Sequence, residues 1–194
     1  MRPLASGSDT ASADRSGGSS LWLRWLGVVS AGELAGFGVP AFVGLWAQGM
    51  GPARQVLALM AAGMVEGMVL GLAQALVLRR QLRGFRTAAW ISATGGAAAL
   101  AWLLGMLPSA THAVWSAWAP GWVVLAAATL GVLLLLSIGM AQAFVLPAGT
   151  PHVHAWVGWT ALGWCTGLAV FLLVASPLWH DGQERPVTLL ERVC

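Results

Sequence analysis

Five apolar runs of about 20 residues or more dominate this chain and limit the folds that it can adopt. A helix of about 20 residues crosses the roughly 30 Å hydrocarbon core of a bilayer, so each run is long enough for one crossing. Only 9% of the residues are charged and 58% are hydrophobic, which excludes an ordinary soluble domain. We therefore predict an all-α integral membrane protein, a five-span helical bundle. The predicted spans are approximately residues 21–47, 55–78, 87–107, 121–146 and 153–176.

An octapeptide that occurs twice indicates an internal duplication. Residues 71–78 read GLAQALVL and residues 139–146 read GMAQAFVL, with conservative changes only. The next apolar run of each copy also matches, through Trp90 and Thr94 in the first copy and Trp156 and Thr160 in the second. Each copy is therefore a hairpin of two spans, and we predict two parallel two-helix hairpin repeats. They cover about residues 55–107 and 121–176, and the first span is an addition or a diverged third copy.

The basic residues are all arginine and lie near the ends of the apolar runs, so they predict the orientation of the chain. Seven fall on one predicted side of the membrane: Arg2, Arg15, Arg24, Arg79, Arg80, Arg83 and Arg86. Three fall on the other: Arg54, Arg185 and Arg192. The positive-inside rule then places the N-terminus in the cytoplasm and the C-terminus outside. The use of arginine without lysine, together with abundant Ala and Gly, indicates a bacterial protein of the cytoplasmic (inner) membrane. We expect no nucleic-acid partner, because the arginines do not form a basic face on a soluble domain.

Three segments lie outside the predicted spans. Residues 1–20 are rich in Ser, Gly, Ala and Asp, which predicts a disordered cytoplasmic tail. Residues 181–194 form a short extracytoplasmic tail, so that the transmembrane bundle covers residues 21–180. The connection 108–120 contains two prolines and two tryptophans, and we expect it to lie along the membrane surface or to dip into the membrane.

Two acidic residues, Glu33 and Glu66, lie near the middle of predicted spans. A carboxyl group at that depth faces the bundle interior, pairs with another group or stays protonated, because an unpaired charge in hydrocarbon costs several kcal/mol. Gly63, Gly67 and Gly71 form a small-residue stripe beside Glu66, which predicts close helix approach there. The two carboxyl groups are therefore a candidate intramembrane polar site, either structural or functional.

Gln74 and Gln142 are the paired polar residues of the repeated octapeptide. A glutamine amide both donates and accepts, so we expect the two to join the copies by a hydrogen bond, with a polar pocket as the alternative role. Small residues continue the faces of Thr94 and Thr160, which predicts a close-packing seam in both copies; they are Ala97, Ala101, Gly163 and Gly167. The arginines of the first repeat loop are predicted to contact anionic lipid headgroups; they are Arg79, Arg80, Arg83 and Arg86.

Metal and cofactor chemistry has little support in the sequence. His152 and His154 are only two residues apart and have no further ligands nearby, and Cys165 and Cys194 show no ligand spacing. No nucleophile–base pair, phosphate loop or dinucleotide loop is recognisable either. We therefore expect no cofactor and no enzymatic activity.

The octapeptide continues into a motif that resembles a known group. Gln74–Arg79 reads Gln-x-x-Val-Leu-Arg and precedes Trp90, which is similar to hairpins of uncharacterised bacterial multi-pass membrane proteins that carry this motif in two or more copies. The resemblance covers about residues 60–175, and the second copy departs from it at Pro147, where the pattern has arginine. The resemblance implies a repeated membrane architecture and no particular activity.

Three functions are compatible with these features. The first is a small structural or accessory membrane protein that binds lipid, partner helices or a second copy of itself. The alternative is a proton-linked transporter or channel subunit that uses Glu33 and Glu66, which requires a water-filled path to Glu66. The third is an intramembrane lipid-modifying enzyme, which requires a cavity that holds both glutamates with His112 or His154.

Overall fold

The computed structural model describes residues 7–178, with side chains described from Ser20 to Val174. All regular elements in this part of the chain are helices. They are α1 (Gly7–Trp46), a 3-10 turn (Ala47–Gly49), α2 (Pro52–Leu78), α3 (Thr87–Ala110), α4 (His112–Trp115), α5 (Pro120–Val145) and α6 (Val153–Leu178). Five of these helices are long and apolar enough to cross a membrane, which confirms the predicted all-helical class and the number of long apolar helices.

The ends of the chain differ from the expected boundaries or lie outside the described residues. Helix α1 begins at Gly7 and so includes most of the segment 1–20, for which the composition predicts a disordered tail. Residues 1–6 and the predicted tail 181–194 are outside the described residues. The apolar stretch able to cross a membrane begins only at Ser20, in agreement with the predicted first span.

Proline fixes where two of the spanning helices begin. Pro52 and Pro120 each occupy the first helical position, after an extended residue, Gly51 and Ala119 respectively. Proline suits this position because its φ is already helical and its missing N–H would have no helical partner. Both helices lead into the octapeptide that the sequence repeats, so the two copies enter their first span in the same way.

Helices that are neighbours in the chain are also neighbours in space. Helix α2 packs against both α1 and α3, α3 packs against α5, and α5 packs against α6. Most of the buried residues lie on α2 and α3, whereas α5 buries only Ile138, Gly139 and Gln142. A tryptophan contact between Trp25 and Trp156, with ring centroids 5.9 Å apart, brings α1 and α6 together at one end.

The predicted glycine seam between α2 and α3 is present. A methyl group added at Gly67 would lie 2.5 Å from Ala98 Cβ and 2.7 Å from the Thr94 carbonyl oxygen. A methyl group at Gly63 would overlap the Trp102 indole, and one at Gly71 would lie 3.0 Å from Thr94 Cβ. Only glycine allows the two helix backbones to approach so closely, so this prediction is confirmed.

The small residues of the second copy do not form the predicted seam. In α3, Ala97 is buried against the core that includes Ile138. At the matching position of α6, a methyl group on Gly163 would meet nothing within 4 Å, and the same holds for Gly167. The prediction is therefore right for the first copy and wrong for α6. The physical reason is that a small-residue stripe permits close packing but supplies no neighbour to pack against.

Candidate functional site

A hydrogen-bonded cluster joins the two copies of the repeated octapeptide. Gln142 Nε2 donates to Gln74 Oε1 at 2.8 Å, so the paired glutamines contact each other directly. Trp90 Nε1 donates to the same Gln74 oxygen at 3.1 Å. In the second copy, Trp156 Nε1 donates to Gln142 Oε1 at 3.0 Å. Each glutamine oxygen thus accepts a hydrogen bond from the indole N–H of the tryptophan that follows it in its own copy.

Thr94 completes the cluster. Its hydroxyl donates to the Trp90 carbonyl at 2.9 Å and accepts a hydrogen bond from Gln142 Nε2 at 3.0 Å. The Gln142 amide therefore makes three hydrogen bonds while its side chain is fully buried. No buried side-chain nitrogen or oxygen among the described residues lacks a hydrogen-bond partner. Within the cluster the Gln142 amide is paired at both its nitrogen and its oxygen, whereas Gln74 is bonded through its oxygen. This pairing stabilises the fold, because an unpaired amide in an apolar medium costs about 1–3 kcal/mol.

The tryptophans fix which way each amide points. An indole N–H is only a donor, so the atom that faces it is the carbonyl oxygen of the amide. The Trp90 indole therefore turns the Gln74 side-chain oxygen toward the cluster. The Trp156 indole in the same way holds the Gln142 oxygen, so that the Gln142 nitrogen faces the Gln74 oxygen. The rings also contact each other: the centroids of Trp90 and Trp156 are 5.5 Å apart with an interplanar angle of 69°. This edge-to-face contact adds packing energy to the hydrogen bonds.

Local sequence explains why these side chains meet. Gln74 lies one turn before the end of α2 and Trp90 lies in the first turn of α3, so the connecting loop brings them to the same level. Phe85 in that loop packs against the Trp90 ring at a centroid distance of 5.3 Å. Around the same turn the four arginines predicted to contact lipid headgroups are all exposed; they are Arg79, Arg80, Arg83 and Arg86.

Glu66 lies in a second polar contact, deeper in the bundle. Its side chain is 5% exposed, and its Oε2 accepts a hydrogen bond from Trp102 Nε1 at 2.7 Å. Gly36 of α1 passes directly over it, since a methyl group there would lie 3.1 Å from the Glu66 carbonyl oxygen. Glu33, which is partly buried on α1, is close enough to interact electrostatically with Glu66. The two glutamates therefore belong to one polar region between α1, α2 and α3.

The second copy has no counterpart of this carboxyl group. By the register of the octapeptide, Leu134 stands where the first copy has Glu66. A methyl group added at Gly105 would lie 3.6 Å from Leu134 Cδ1, so α3 meets an apolar side chain of α5 there. The Glu66 contact is thus specific to the first copy, unlike the glutamine–tryptophan cluster.

The histidines and cysteines are not assembled into a site. His152 and His154 have ring centroids 6.1 Å apart and are both exposed. In the part of the chain that the structure describes, no three His, Cys, Asp or Glu side chains are grouped to hold a metal ion. His112 is exposed at the start of α4, and Cys165 is exposed on α6.

Two features of these sites are not apparent in the sequence. Trp90 and Trp156 stand at the starts of apolar runs, which is the usual place of interfacial tryptophans, so their role as hydrogen-bond donors to the glutamines was not predicted. The recurrence of glutamine and tryptophan at matching positions of both copies was the available signal. The contact between Glu66 and Trp102 has no such signal, because neither residue is repeated.

No protein-family model, no curated protein and no solved structure matches this chain. The resemblance to proteins with repeated Gln-x-x-Val-Leu-Arg hairpins therefore stays a prediction.

Proposed function

We propose that this protein is a small structural or accessory membrane protein, which presents a fixed helical surface to lipids or partner helices. The observation that carries this proposal is the hydrogen-bond cluster of Gln74, Gln142, Trp90, Thr94 and Trp156. All polar atoms of the Gln142 amide and the Gln74 oxygen bond to other side chains of the cluster, which joins α2, α3, α5 and α6. The proposal contains no catalytic step and no cofactor.

The duplicated hairpins form the architecture of this proposal. The close contact of Gly71 with Thr94 in the first hairpin is matched by that of Gly139 with Thr160 in the second, where a methyl group would lie 3.3 Å from Thr160 Cβ. The matching glutamine–tryptophan hydrogen bonds support the same reading. We therefore propose two parallel repeats.

The proposed location is the inner membrane of a bacterium, with the arginine-rich loop after α2 in the cytoplasm and in contact with anionic lipid headgroups. Labelling with a membrane-impermeant thiol reagent tests this orientation. Cys165 and Cys194 are first replaced by serine, and single cysteines are then introduced at Arg83 and Asp181. We expect protection in intact cells at position 83 and labelling at position 181. Labelling at both positions, or protection at both, would refute an odd number of spans between them.

A second candidate function rests on the glutamate pair. Two carboxyl groups that interact electrostatically inside apolar helices are a recurring arrangement in proton-linked transport. Against it stands the close packing around Glu66, which is covered by Gly36 and hydrogen-bonded to Trp102. A dry, closely packed carboxyl group favours a structural role over a transport path.

Proton flux distinguishes the two functions. The protein is reconstituted into vesicles that contain a pH-sensitive dye, and an inward pH gradient or a membrane potential is applied. For an accessory protein we expect the same leak from vesicles with the wild type, with Glu66→Gln and with no protein. A flux that requires the wild type and is lost in Glu66→Gln would overturn the accessory role and establish the alternative.

A further inference from the structure

An apolar groove lies between the end of α3, the short helix α4 and the first half of α5, with a volume of about 380 Å³. Helix α5 contributes Trp122, Leu125, Ala126 and Thr129, which follow the i, i+3, i+4, i+7 spacing of a single helix face. At 1.5 Å per residue this face extends for about 10 Å along the helix axis. The open groove therefore lies along one face of the first half of α5.

The lining of the groove is mostly apolar. None of its residues is charged, its polar groups are three indoles and the Thr129 hydroxyl, and two of these four groups are engaged elsewhere. Trp115 Nε1 donates to the Thr111 hydroxyl, and the Thr129 hydroxyl donates to the Leu125 carbonyl at 2.8 Å. A polar ligand would give up hydrogen bonds to water without gaining hydrogen bonds to these two groups, whereas an apolar ligand has no such hydrogen bonds to give up. The volume falls in the range of about 300–1,000 Å³ that is usual for small-molecule sites.

The depth of the groove indicates which apolar ligand reaches it. Trp115 and Trp118 line the groove on the side of the connection between α3 and α5, with ring centroids 5.3 Å apart and an interplanar angle of 32°. Tryptophans just beyond the end of a spanning helix lie at the level of the lipid headgroups. From that level the groove follows α5 into the hydrocarbon region, which is the path taken by the chain of a lipid.

We infer that this groove holds one acyl chain of a membrane phospholipid, with the headgroup left outside the pair formed by Trp115 and Trp118. The inference rests on the proposed lipid-binding role and adds to it a site and the part of the lipid that is recognised. Because no charged residue lines the groove, recognition depends on the chain and not on the charge of the headgroup. It is thus distinct from the contact proposed for the arginine loop at the opposite ends of the helices.

The test measures how much lipid stays with the purified protein. The detergent-solubilised protein is loaded with dipalmitoyl phosphatidylcholine, washed, and analysed by native mass spectrometry. Thr129→Trp places an indole ring in the groove. We expect the amount of retained phospholipid to fall at least about tenfold, because even a partial loss of contact between the groove and the acyl chain has an effect of this size. Val124→Trp is the matched control, because Val124 has nearly the same shape, is 68% exposed, and lies on the opposite face of α5.

A second pair of variants tests the groove by opening it. Trp118→Ala removes a side chain that lines the groove and is expected to lower the amount of retained lipid several-fold. Trp159→Ala changes an exposed tryptophan of α6 and is expected to leave that amount unchanged. In a protein with Arg79 and Arg80 changed to alanine, phosphatidylglycerol with the same chains should be retained as well as phosphatidylcholine. A melting curve for each variant shows that the protein is folded when retention is measured.

The possible results separate the groove from the proposed function. Equal retention by Thr129→Trp and Val124→Trp would overturn the groove while leaving lipid binding intact. Loss of phosphatidylcholine retention when Arg79 and Arg80 are changed to alanine would do the same, because the retained lipid would then lie at the arginine loop. If the folded wild type retains neither lipid, both the groove and the lipid-binding role are refuted.

Discussion

The hairpin formed by α2 and α3 and the hairpin formed by α5 and α6 carry the same motif but differ greatly in burial. In the most apolar windows of α2 and α3, 44% and 33% of residues are buried, compared with 11% in α5 and none in α6. Both hairpins make the same internal contacts, from glutamine to tryptophan and from glycine to threonine. The difference lies in the neighbouring helices. Helix α1 covers the first hairpin and α5 flanks it, whereas α6 packs mainly on α5 and meets α1 and α3 through ring contacts of Trp156. A repeated sequence therefore determines the internal contacts of a hairpin, and the position in the chain determines its burial.

The largest effect that separates the two hairpins is expected from adding bulk to equivalent small-residue faces. Gly67→Leu forces a side chain against the Ala98 methyl group and the Thr94 carbonyl, which should destabilise the detergent-solubilised protein by about 3 kcal/mol. Gly163→Leu, on the open face of α6, should change stability by less than about 0.5 kcal/mol. Thermal unfolding of both variants is the measurement, and equal losses would show that α6 is packed as closely as α2.

The next largest effect concerns the cluster that joins the hairpins. Gln142→Leu removes three hydrogen bonds, each worth roughly 0.6 kcal/mol on average between membrane helices, and we expect a loss of about 2 kcal/mol. Gln81→Leu, in the exposed loop after α2, is the control and should be neutral. An unchanged unfolding temperature for Gln142→Leu would mean that the copies are held together by apolar packing alone.

A smaller effect is expected at the carboxyl group that only the first hairpin carries. Glu66→Gln keeps a carbonyl oxygen for the Trp102 indole, so stability should change little. Glu66→Ala leaves that indole without a partner and should cost about 1 kcal/mol. Trp102 fluorescence is obscured by the other tryptophans, so the comparison is made by thermal unfolding. If Glu66→Gln is as destabilising as Glu66→Ala, the carboxyl group itself is required, and a role for the Glu33–Glu66 pair gains weight.

The smallest effect tests how far the matched threonines have diverged. Thr94→Val removes the hydroxyl that accepts from Gln142, which still donates to Gln74, so the expected loss is about 0.6 kcal/mol. Thr160→Val changes the corresponding residue of the second hairpin and serves as its matched partner. We expect it to cost less than Thr94→Val in the same unfolding assay. The reverse order would show that the second hairpin has a polar contact as important as that of the first.

The sequence predicted the helical class, the number of apolar helices and the contact between Gln74 and Gln142, because hydrophobic length and exact repetition are direct signals of these features. It did not predict that α6 would be open, since Gly163 and Gly167 resemble the packed glycines of α2 in every local respect. It also missed the Trp102 contact with Glu66, which depends on how α2 and α3 cross and on no repeated position. The start of α1 at Gly7 differs from the expected tail for a similar reason, because composition describes only the average tendency of a segment.

The single hydrogen bond between Gln74 and Gln142 makes the cluster directional. Two amides joined by one such bond have different roles, because the Gln142 nitrogen donates the proton and the Gln74 oxygen accepts it. Thr94 accepts a second hydrogen bond from the Gln142 nitrogen, whereas no hydrogen bond joins Thr160 to Gln74 in the described part of the chain. The two glutamines are therefore equivalent in the sequence but not interchangeable in the structure, and the same substitution at Thr94 and at Thr160 is not an equivalent change.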